Sequence, residues 1–219
     1  TRPDLICFLE SKIDSERLLK LEAFEKWSDD MRFTNIYCQW SKREDKMTHG
    51  CEDILIFTRI PCKVTFGMQS KEFDQQARVA MIEFAKVIVL VSYHPQGGFA
   101  ETSLLYRKRW EECFTQFLKR IHEKAQQDGK VILWAGDFNV NPNRDDWSVR
   151  AFDRIKHKMP PGDPVGCRRE DQDAYQQMVK AIDGVNLGEV YGAKQRTCFP
   201  TEQAMLKNQG QRLDHVIVQ

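Results

Sequence analysis

Hydrophobic positions recur along the chain with two periods, one typical of strands and one typical of helices. An almost wholly apolar run at 5–9 predicts a strand buried on both faces, and a second run at 131–135 predicts another buried strand. Between residues 110 and 121, apolar residues spaced three and four apart predict the strongest helix. Gly129 is expected to end that helix, because glycine readily adopts the left-handed conformation of a helix stop.

Weaker patterns add further elements on both sides of this helix. Residues 141–173 are rich in Pro, Gly and charge, so we expect a long surface excursion there. The remaining predicted strands are 33–40, 53–60, 63–66 and 212–218, and the runs 78–84 and 87–93 form a hairpin. The remaining predicted helices follow Ser15 as far as Trp27, lie around 147–155 and span 173–182.

Alternating strands and helices, with at least one antiparallel hairpin, favour a layered fold over a purely parallel doubly wound sheet. We therefore predict the α/β class, as a four-layered α/β sandwich in which two mixed β-sheets pack face to face and helices flank them. With 219 residues the chain can bury one sizeable core, so we expect a single domain over 1–219.

Composition narrows the class of protein but not its partners. With 41% hydrophobic and 30% charged residues the chain is typical of soluble globular proteins, and no apolar run reaches the length of a membrane span. The net charge of +1 neither indicates nor excludes nucleic-acid binding. Seven cysteines without CxxC spacing predict reduced, mostly buried thiols and an intracellular location.

Two polar residues follow the strand predicted at 131–135. Alternation sends Asp137 and Asn139 to one side of the chain and Phe138 to the other. A carboxylate can accept a proton from an attacking water, and an amide can donate to a phosphoryl oxygen, so this pair suits phosphate chemistry. An Asx turn is the simpler alternative, since Asp and Asn are common turn residues.

Three further polar side chains occupy predicted strand ends. Glu10 follows the first strand, Tyr93 ends the hairpin and Asp214 lies in the last strand. Two of them have an ordinary structural explanation: Tyr93 could close a sheet end, and Asp214 could pair with Arg212. Because layered folds place their sites at strand ends, we expect these residues to converge with Asp137.

Six motifs occur in an order that resembles one family. Residues 3–12, PDLICFLESK, resemble P-D-I-L-C-L-Q-E-T-K, and residues 136–140, GDFNV, resemble G-D-L-N-V. Further matches lie at 63–84, at 93–96 (Y-V-P-N), at 106–110 (Y-R-Q-R-W) and at 210–214 (G-W-R-L-D). The chain is similar to the exonuclease III and apurinic/apyrimidinic endonuclease family of the endonuclease/exonuclease/phosphatase superfamily, as a divergent eukaryotic-like member.

This resemblance implies a role for each strand-end residue. Glu10 would ligate a divalent ion, Mg²⁺ or Mn²⁺, while Asp137 would activate or orient the attacking water and Asn139 would position the phosphate. Tyr93 would bind the phosphate, and Asp214 would orient a catalytic histidine. His215 is not expected to be that histidine, because a strand turns it away from Asp214. The residues expected to contact nucleic acid are Lys12, Arg78, Gln96 and Gln211.

The implied function is magnesium-dependent phosphodiester cleavage in DNA repair, leaving a 3′-hydroxyl and a 5′-phosphate. The expected partner is nucleic acid, DNA rather than RNA, with no membrane and with a nuclear or mitochondrial location. The loop 141–172 is a candidate surface for protein partners. The family's Asn-bearing first strand and its closing Ser-Asp-His segment are expected to lie outside residues 1–219.

Departures from the family keep two alternatives open. Cys198 and Gln211 stand where the family walls an extrahelical sugar with aromatic rings, and Phe99 and Ser103 match duplex-gripping arginines. The acidic pair at 52–53 adds negative charge beside the expected backbone path. These losses suit a 3′ exoribonuclease or single-strand nuclease, or a catalytically inactive nuclease-fold scaffold. A lipid or inositol phosphatase fits the motifs less well.

Overall fold

The computed structural model describes residues 2–10, 22–41, 53–148, 166–192, 195–199 and 201–219. The chain forms two compact units, Thr1–Ser92 and Tyr93–Gln219. The elements of the first unit are β1 (Leu5–Leu9), α1 (Glu22–Met31), β2 (Asn35–Trp40), β3 (Asp53–Thr58), β4 (Lys63–Phe66), a 3₁₀ turn (Asp74–Gln76), β5 (Val79–Glu83) and β6 (Val87–Tyr93).

Two antiparallel strand groups form the first unit. β3 pairs with both β1 and β2, which gives the order β1-β3-β2, while β5 pairs with β4 and with β6. All six residues of the central strand β3 are buried. β1 lies at an edge and is mostly half-buried, with Phe8 43% exposed. β1 packs on both faces, Cys7 against the cluster of Ile54 and Ile6 against that of Phe57, but its side chains are at most half-buried, so the expectation of a strand buried on both faces is wrong.

The two strand groups pack face to face. Ile54 and Ile56 of β3 contact Ala80 and Ile82 of β5 and Val91 of β6, and all five side chains are buried. These residues lie on one face because alternate residues of a strand point the same way. The predicted packing of one sheet on another is thus seen within this unit.

Helix α1 covers the other face of β3. Phe57 points away from the second sheet, and its ring lies 5.4 Å from that of Phe24 and 5.3 Å from that of Trp27. Leu55 and Phe33 join the same cluster. The first unit is therefore layered as helix, sheet and sheet, as the apolar spacing of Phe24 and Trp27 predicts.

The second unit combines strands with one long helix. Its elements are α2 (Glu101–Asp128), β7 (Val131–Asp137), a 3₁₀ turn (Arg144–Asp146), α3 (Arg169–Lys180), β8 (Val185–Asn186), α4 (Leu187–Val190), α5 (Glu202–Leu206) and β9 (Asp214–Val218). β9 pairs antiparallel with β7 on one side and with β8 on the other.

Aromatic side chains join α2 to β7. The ring of Phe114 lies 4.9 Å from that of Trp110 and 5.3 Å from that of Trp134, which in turn lies 4.3 Å from Phe138. The helix ends at Gly129, whose φ of 62° is left-handed and whose N–H bonds to the carbonyl of Gln126. The predicted helix, its buried face and its glycine stop are confirmed.

Tertiary contacts change three local expectations. The helix predicted at 173–182 is α3, which begins four residues earlier, at Arg169. Within the predicted surface excursion, Asn141 and Trp147 are buried, at 0% and 5% exposure, whereas residues 143–145 are exposed as expected. Trp147 pairs with Gln211 as an isolated bridge and does not start a helix, while 149–155 lie outside the described residues.

Six cysteines fall within the described ranges, and each is a free thiol. Cys198 is exposed and the others are half-buried, so the expectation of mostly buried thiols is wrong. The predicted α/β class, with two sheets and flanking helices, is confirmed. In the described part of the chain, no helix has the length and apolar character that crossing a membrane requires.

Candidate active site

Four of the predicted site residues meet at one end of the strands in the second unit. Asp137 ends β7 and is the register partner of Asp214, the first residue of β9. Facing residues of antiparallel strands have Cβ atoms about 4.5–5.5 Å apart. His94 follows Tyr93. Its backbone N–H donates to the carbonyl of Asp137 at 2.8 Å, and its backbone carbonyl accepts from Nδ2 of Asn139 at 2.9 Å. Tyr93, Asp137, Asn139 and Asp214 therefore share one rim, called here the strand-end rim.

A tight turn connects the two predicted catalytic residues that follow β7. Asn139 adopts a left-handed φ of 46°, and its N–H donates to Oδ1 of Asp137 at 2.8 Å. This is the Asx turn of the simpler interpretation, and asparagine is among the few residues that tolerate it. Phe138 is fully buried, as alternation predicts. The turn fixes the Asp137 carboxylate, and the Asn139 amide keeps a second hydrogen beyond the one given to His94.

Asp214 lies beside a threonine and a cysteine. Thr197 Oγ1 accepts the N–H groups of Leu213 and Asp214, both at 3.1 Å. Partial desolvation raises the pKa of the Asp214 carboxyl, although a bond from the Thr197 hydroxyl opposes the shift. Desolvation, and then the charges of Asp137 and Asp214, raise the pKa of the Cys198 thiol. Cys198 is thus a neighbour of both carboxylates.

From the sequence, Cys198 is expected only to replace an aromatic residue in the wall of the extrahelical sugar pocket. Its place beside the carboxylates depends on a bridge between Cys198 and Gln211, with backbone bonds of 2.9 and 2.8 Å between them. No local pattern indicates that pairing. The only available signal was the motif match that placed Cys198 near the expected site.

His215 belongs to the core of the second unit. It is 4% exposed, its Nε2 lies 3.1 Å from the carbonyl of Val140, and its Nδ1 lies 3.2 Å from Nδ2 of Asn186. Burial lowers its pKa to about 4, so the ring is neutral near pH 7. These contacts satisfy both ring nitrogens away from Asp214, which agrees with the expectation that His215 is not the catalytic histidine.

Glu10 lies in the first unit. It follows β1 with a left-handed φ of 51°, and its N–H donates to the carbonyl of Asp53 at 3.2 Å. In the second unit, Asp137 and Asp214 offer the carboxylate oxygens that Mg²⁺ prefers. Within the described ranges, however, no three His, Cys, Asp or Glu side chains are grouped to hold a metal ion. The donor chemistry fits a hard cation, and the complete ligand set, including Glu10, stays a prediction.

The residues predicted to contact nucleic acid occupy different environments. Arg78 is 8% exposed and its Nε donates to Gln76 at 2.8 Å, so burial argues against a direct phosphate contact. Gln211 accepts from Nδ2 of Asn141 at 3.3 Å, whereas Gln96 is exposed. Lys12 lies outside the described residues.

The chain resembles a curated nuclease over nearly its whole length. The DNA repair nuclease APEX1 of Danio rerio is 26% identical over 222 residues, which cover 99% of this chain and 64% of that protein. The chain therefore spans less than two thirds of that relative's length.

Two solved structures share the fold. An AP endonuclease from Archaeoglobus fulgidus matches with a TM-score of 0.72 at 21% identity, over 99% of this chain and 76% of that one. A 3′-5′ exonuclease from Neisseria meningitidis matches with a TM-score of 0.73 at 22% identity, over the same 99% and 76%. Residues 1–219 also match the Endonuclease/Exonuclease/phosphatase family as a whole. The chain belongs to the endonuclease/exonuclease/phosphatase family.

Proposed function

We propose that the chain is the body of a nuclease that hydrolyses phosphodiester bonds in DNA, of the abasic-endonuclease or 3′-exonuclease kind. The observation that carries this proposal is the meeting of Tyr93, Asp137, Asn139 and Asp214 at the strand-end rim. Phosphodiester hydrolysis needs a base for water and donors for the phosphoryl oxygens. The strand-end rim carries both kinds of group, in a chain whose family contains nucleases.

Each residue has a distinct task in this proposal. Asp137 accepts a proton from the attacking water. Its carboxylate is held in orientation by the N–H of Asn139. The second amide hydrogen of Asn139 and the hydroxyl of Tyr93 donate to the phosphoryl oxygens. Asp214 orients a catalytic histidine, a role that burial denies to His215.

A divalent ion belongs to the same proposal. Glu10 is the proposed ligand for Mg²⁺ or Mn²⁺, and the ion, when bound, supplies a Lewis acid for the phosphoryl oxygen. The proposed products are a 3′-hydroxyl and a 5′-phosphate. A DNA substrate implies a nuclear or mitochondrial location, and the loop 141–172 is the proposed surface for protein partners.

A second candidate function is that of a 3′ exonuclease for RNA or single strands. Arg78 is buried, and Phe99, which is 53% exposed, carries no charge at a position matched to a duplex-gripping arginine. Both features reduce the cationic contacts available to a duplex. An inactive scaffold is disfavoured. The Asp214 carboxyl is partly desolvated and faces a second carboxyl, Asp137, across the two strands. This arrangement costs stability, and a protein without catalytic function would gain nothing from it.

Cleavage assays on the full-length protein test the proposal. The substrates are an abasic duplex, a recessed 3′ DNA end and a single-stranded RNA end, each with Mg²⁺ and with EDTA. We expect metal-dependent scission of DNA that falls at least about 100-fold in Asp137→Asn, since a general base contributes roughly that factor. Glu123→Gln, an exposed carboxylate on α2, should cleave at the wild-type rate.

Three results would change the conclusion. Failure to cut any substrate in the presence of metal would falsify the nuclease proposal. Preference for the RNA end would establish the second candidate instead. Full activity of Asp137→Asn would remove Asp137 from the chemistry.

A further inference from the structure

A buried arginine lies directly behind the turn that carries the two predicted catalytic residues. Arg107 of α2 is 1% exposed. Its Nη1 donates to the carbonyl of Asn139 at 2.8 Å, and its Nη2 donates to the carbonyl of Phe138 at 3.3 Å. One guanidinium therefore holds two successive carbonyls of the turn.

The guanidinium is itself held by two acids. Its Nε donates to Oε1 of Glu111, one helical turn further along α2, at 2.7 Å, and Oδ1 of Asp171 on α3 lies 3.6 Å from the same nitrogen. Burial raises the pKa of the Glu111 carboxyl, the charge of Arg107 lowers it, and that of Asp171 raises it again. The planar fork of arginine can meet acids on one side and carbonyls on the other.

A glycine closes the turn from the opposite side. Oδ2 of Asp171 accepts the N–H of Gly166 at 3.1 Å, and the carbonyl of Gly166 accepts the N–H of Asn141 at 2.7 Å. A Cβ on Gly166 would lie 2.8 Å from the carbonyl oxygen of Asn139. That oxygen is therefore enclosed between Arg107 and the backbone of Gly166.

This enclosure matters because Asn139 is held in a left-handed conformation, with a φ of 46°. Non-glycine residues populate this region sparsely, and they persist there where the surrounding contacts hold them. We infer that Arg107 is a positioning residue for the proposed cleavage, and that its guanidinium fixes the turn presenting Asp137 and Asn139 to the substrate. The inference rests on the proposed function. Lysine cannot replace Arg107, because a single amine cannot reach both carbonyls and Glu111.

Steady-state kinetics on the full-length protein test this role. In Arg107→Lys and Arg107→Ala we expect kcat to fall roughly 10- to 100-fold with KM within about twofold, since small misplacements of reacting groups cost such factors. Arg107 lines a groove of about 760 Å³ between α2 and α3, so millimolar guanidinium can enter and partly restore kcat in Arg107→Ala. Arg120→Lys, an exposed arginine about 20 Å along the same helix, is the matched control.

Nuclear magnetic resonance supplies a readout that does not depend on activity. We expect the side-chain amide resonances of Asn139 to shift in Arg107→Lys and to stay in place in Arg120→Lys. Unchanged kcat in folded Arg107→Lys, or unchanged Asn139 resonances, would overturn the inference. If Arg107→Ala does not fold, Arg107→Lys carries both measurements. If the wild type cuts no substrate, the proposed function fails, and the Asn139 resonances alone decide the positioning role.

Discussion

At the scale of single residues, a left-handed backbone marks two of the predicted site residues, and a raised pKa marks two side chains near the strand-end rim. Glu10 and Asn139, both predicted site residues, follow strands with left-handed φ values of 51° and 46°. Asp214 and Cys198 both have raised pKa values, because each is partly desolvated at the strand-end rim. Left-handed non-glycine residues and perturbed pKa values are common at functional sites, so Asn139, Asp214 and Cys198 support the position proposed for the active site at the strand-end rim.

Cys198 gives a chemical probe of that position. The residue is exposed, yet desolvation and the charges of Asp137 and Asp214 raise its thiol pKa and keep thiolate scarce near neutral pH. We expect iodoacetamide to alkylate Cys198 slowly and Asp214→Asn to accelerate the reaction, because losing a negative charge lowers the pKa. Site-resolved mass spectrometry measures the rate, with Cys113 on α2 as internal control. Equal Cys198 rates in both proteins would show that Asp214 does not act on this thiol.

At the scale of elements, one helix supplies both core and site. The apolar face of α2 packs on β7 through Trp110 and Phe114, and Arg107 lies on the same buried side, one turn before Glu111. The apolar spacing alone indicates the packing. It does not indicate that a charged residue is buried on the same side of the helix, since arginine is seldom fully buried without partners.

Two glycines with similar backbone conformations allow an effect on stability to be distinguished from an effect on the position of the catalytic turn. Gly129 and Gly166 have φ values of 62° and 79°, so alanine costs about 1 kcal/mol at either position through strain. A Cβ at Gly129 meets nothing within 4 Å, whereas at Gly166 it meets the Asn139 carbonyl at 2.8 Å. We expect Gly129→Ala to lower the free energy of unfolding by about 1 kcal/mol with kcat unchanged, and Gly166→Ala to lose more stability and reduce kcat.

Urea denaturation and the cleavage assay measure the two effects side by side. Gly129→Ala is the matched control, because it introduces the same methyl group in the same conformation without the contact. Equal losses of stability with kcat retained in both variants would mean that Gly166 does not hold the turn.

At the scale of the whole molecule, the balance of charge limits the long-range attraction of the proposed nucleic-acid substrate. With 33 basic and 32 acidic side chains, the net charge of +1 provides little long-range attraction for a polyanion. The proposed binding must then depend on local contacts, and Phe99 and Ser103, the two positions that the resemblance matches to family arginines, carry no charge. The proposed nuclease would therefore lack part of the cationic grip on a duplex that the resemblance implies.

Restoring one cation tests this view. Ser103→Arg, in the first turn of α2, should tighten duplex DNA binding and steepen the slope of log K against log salt by about 0.9, the value for one phosphate contact. Val131→Arg adds the same charge at a 46% exposed position at the start of β7, about 20 Å from Asp137. Fluorescence anisotropy at several salt concentrations measures both. A similar slope in the two variants would show that Ser103 does not face the DNA.

Local chemistry along the chain was enough to locate most elements and the motifs at their ends. The hairpin of β5 and β6, helix α2 and its stop at Gly129 follow from periodicity and capping, which act over a few residues. Tertiary structure decided what depends on distant partners: the pairing of Asp137 with Asp214, the burial of Arg107 and the edge position of β1. An apolar run has the same pattern at the centre or the edge of a sheet, and a charged residue shows its partners only after the chain has folded.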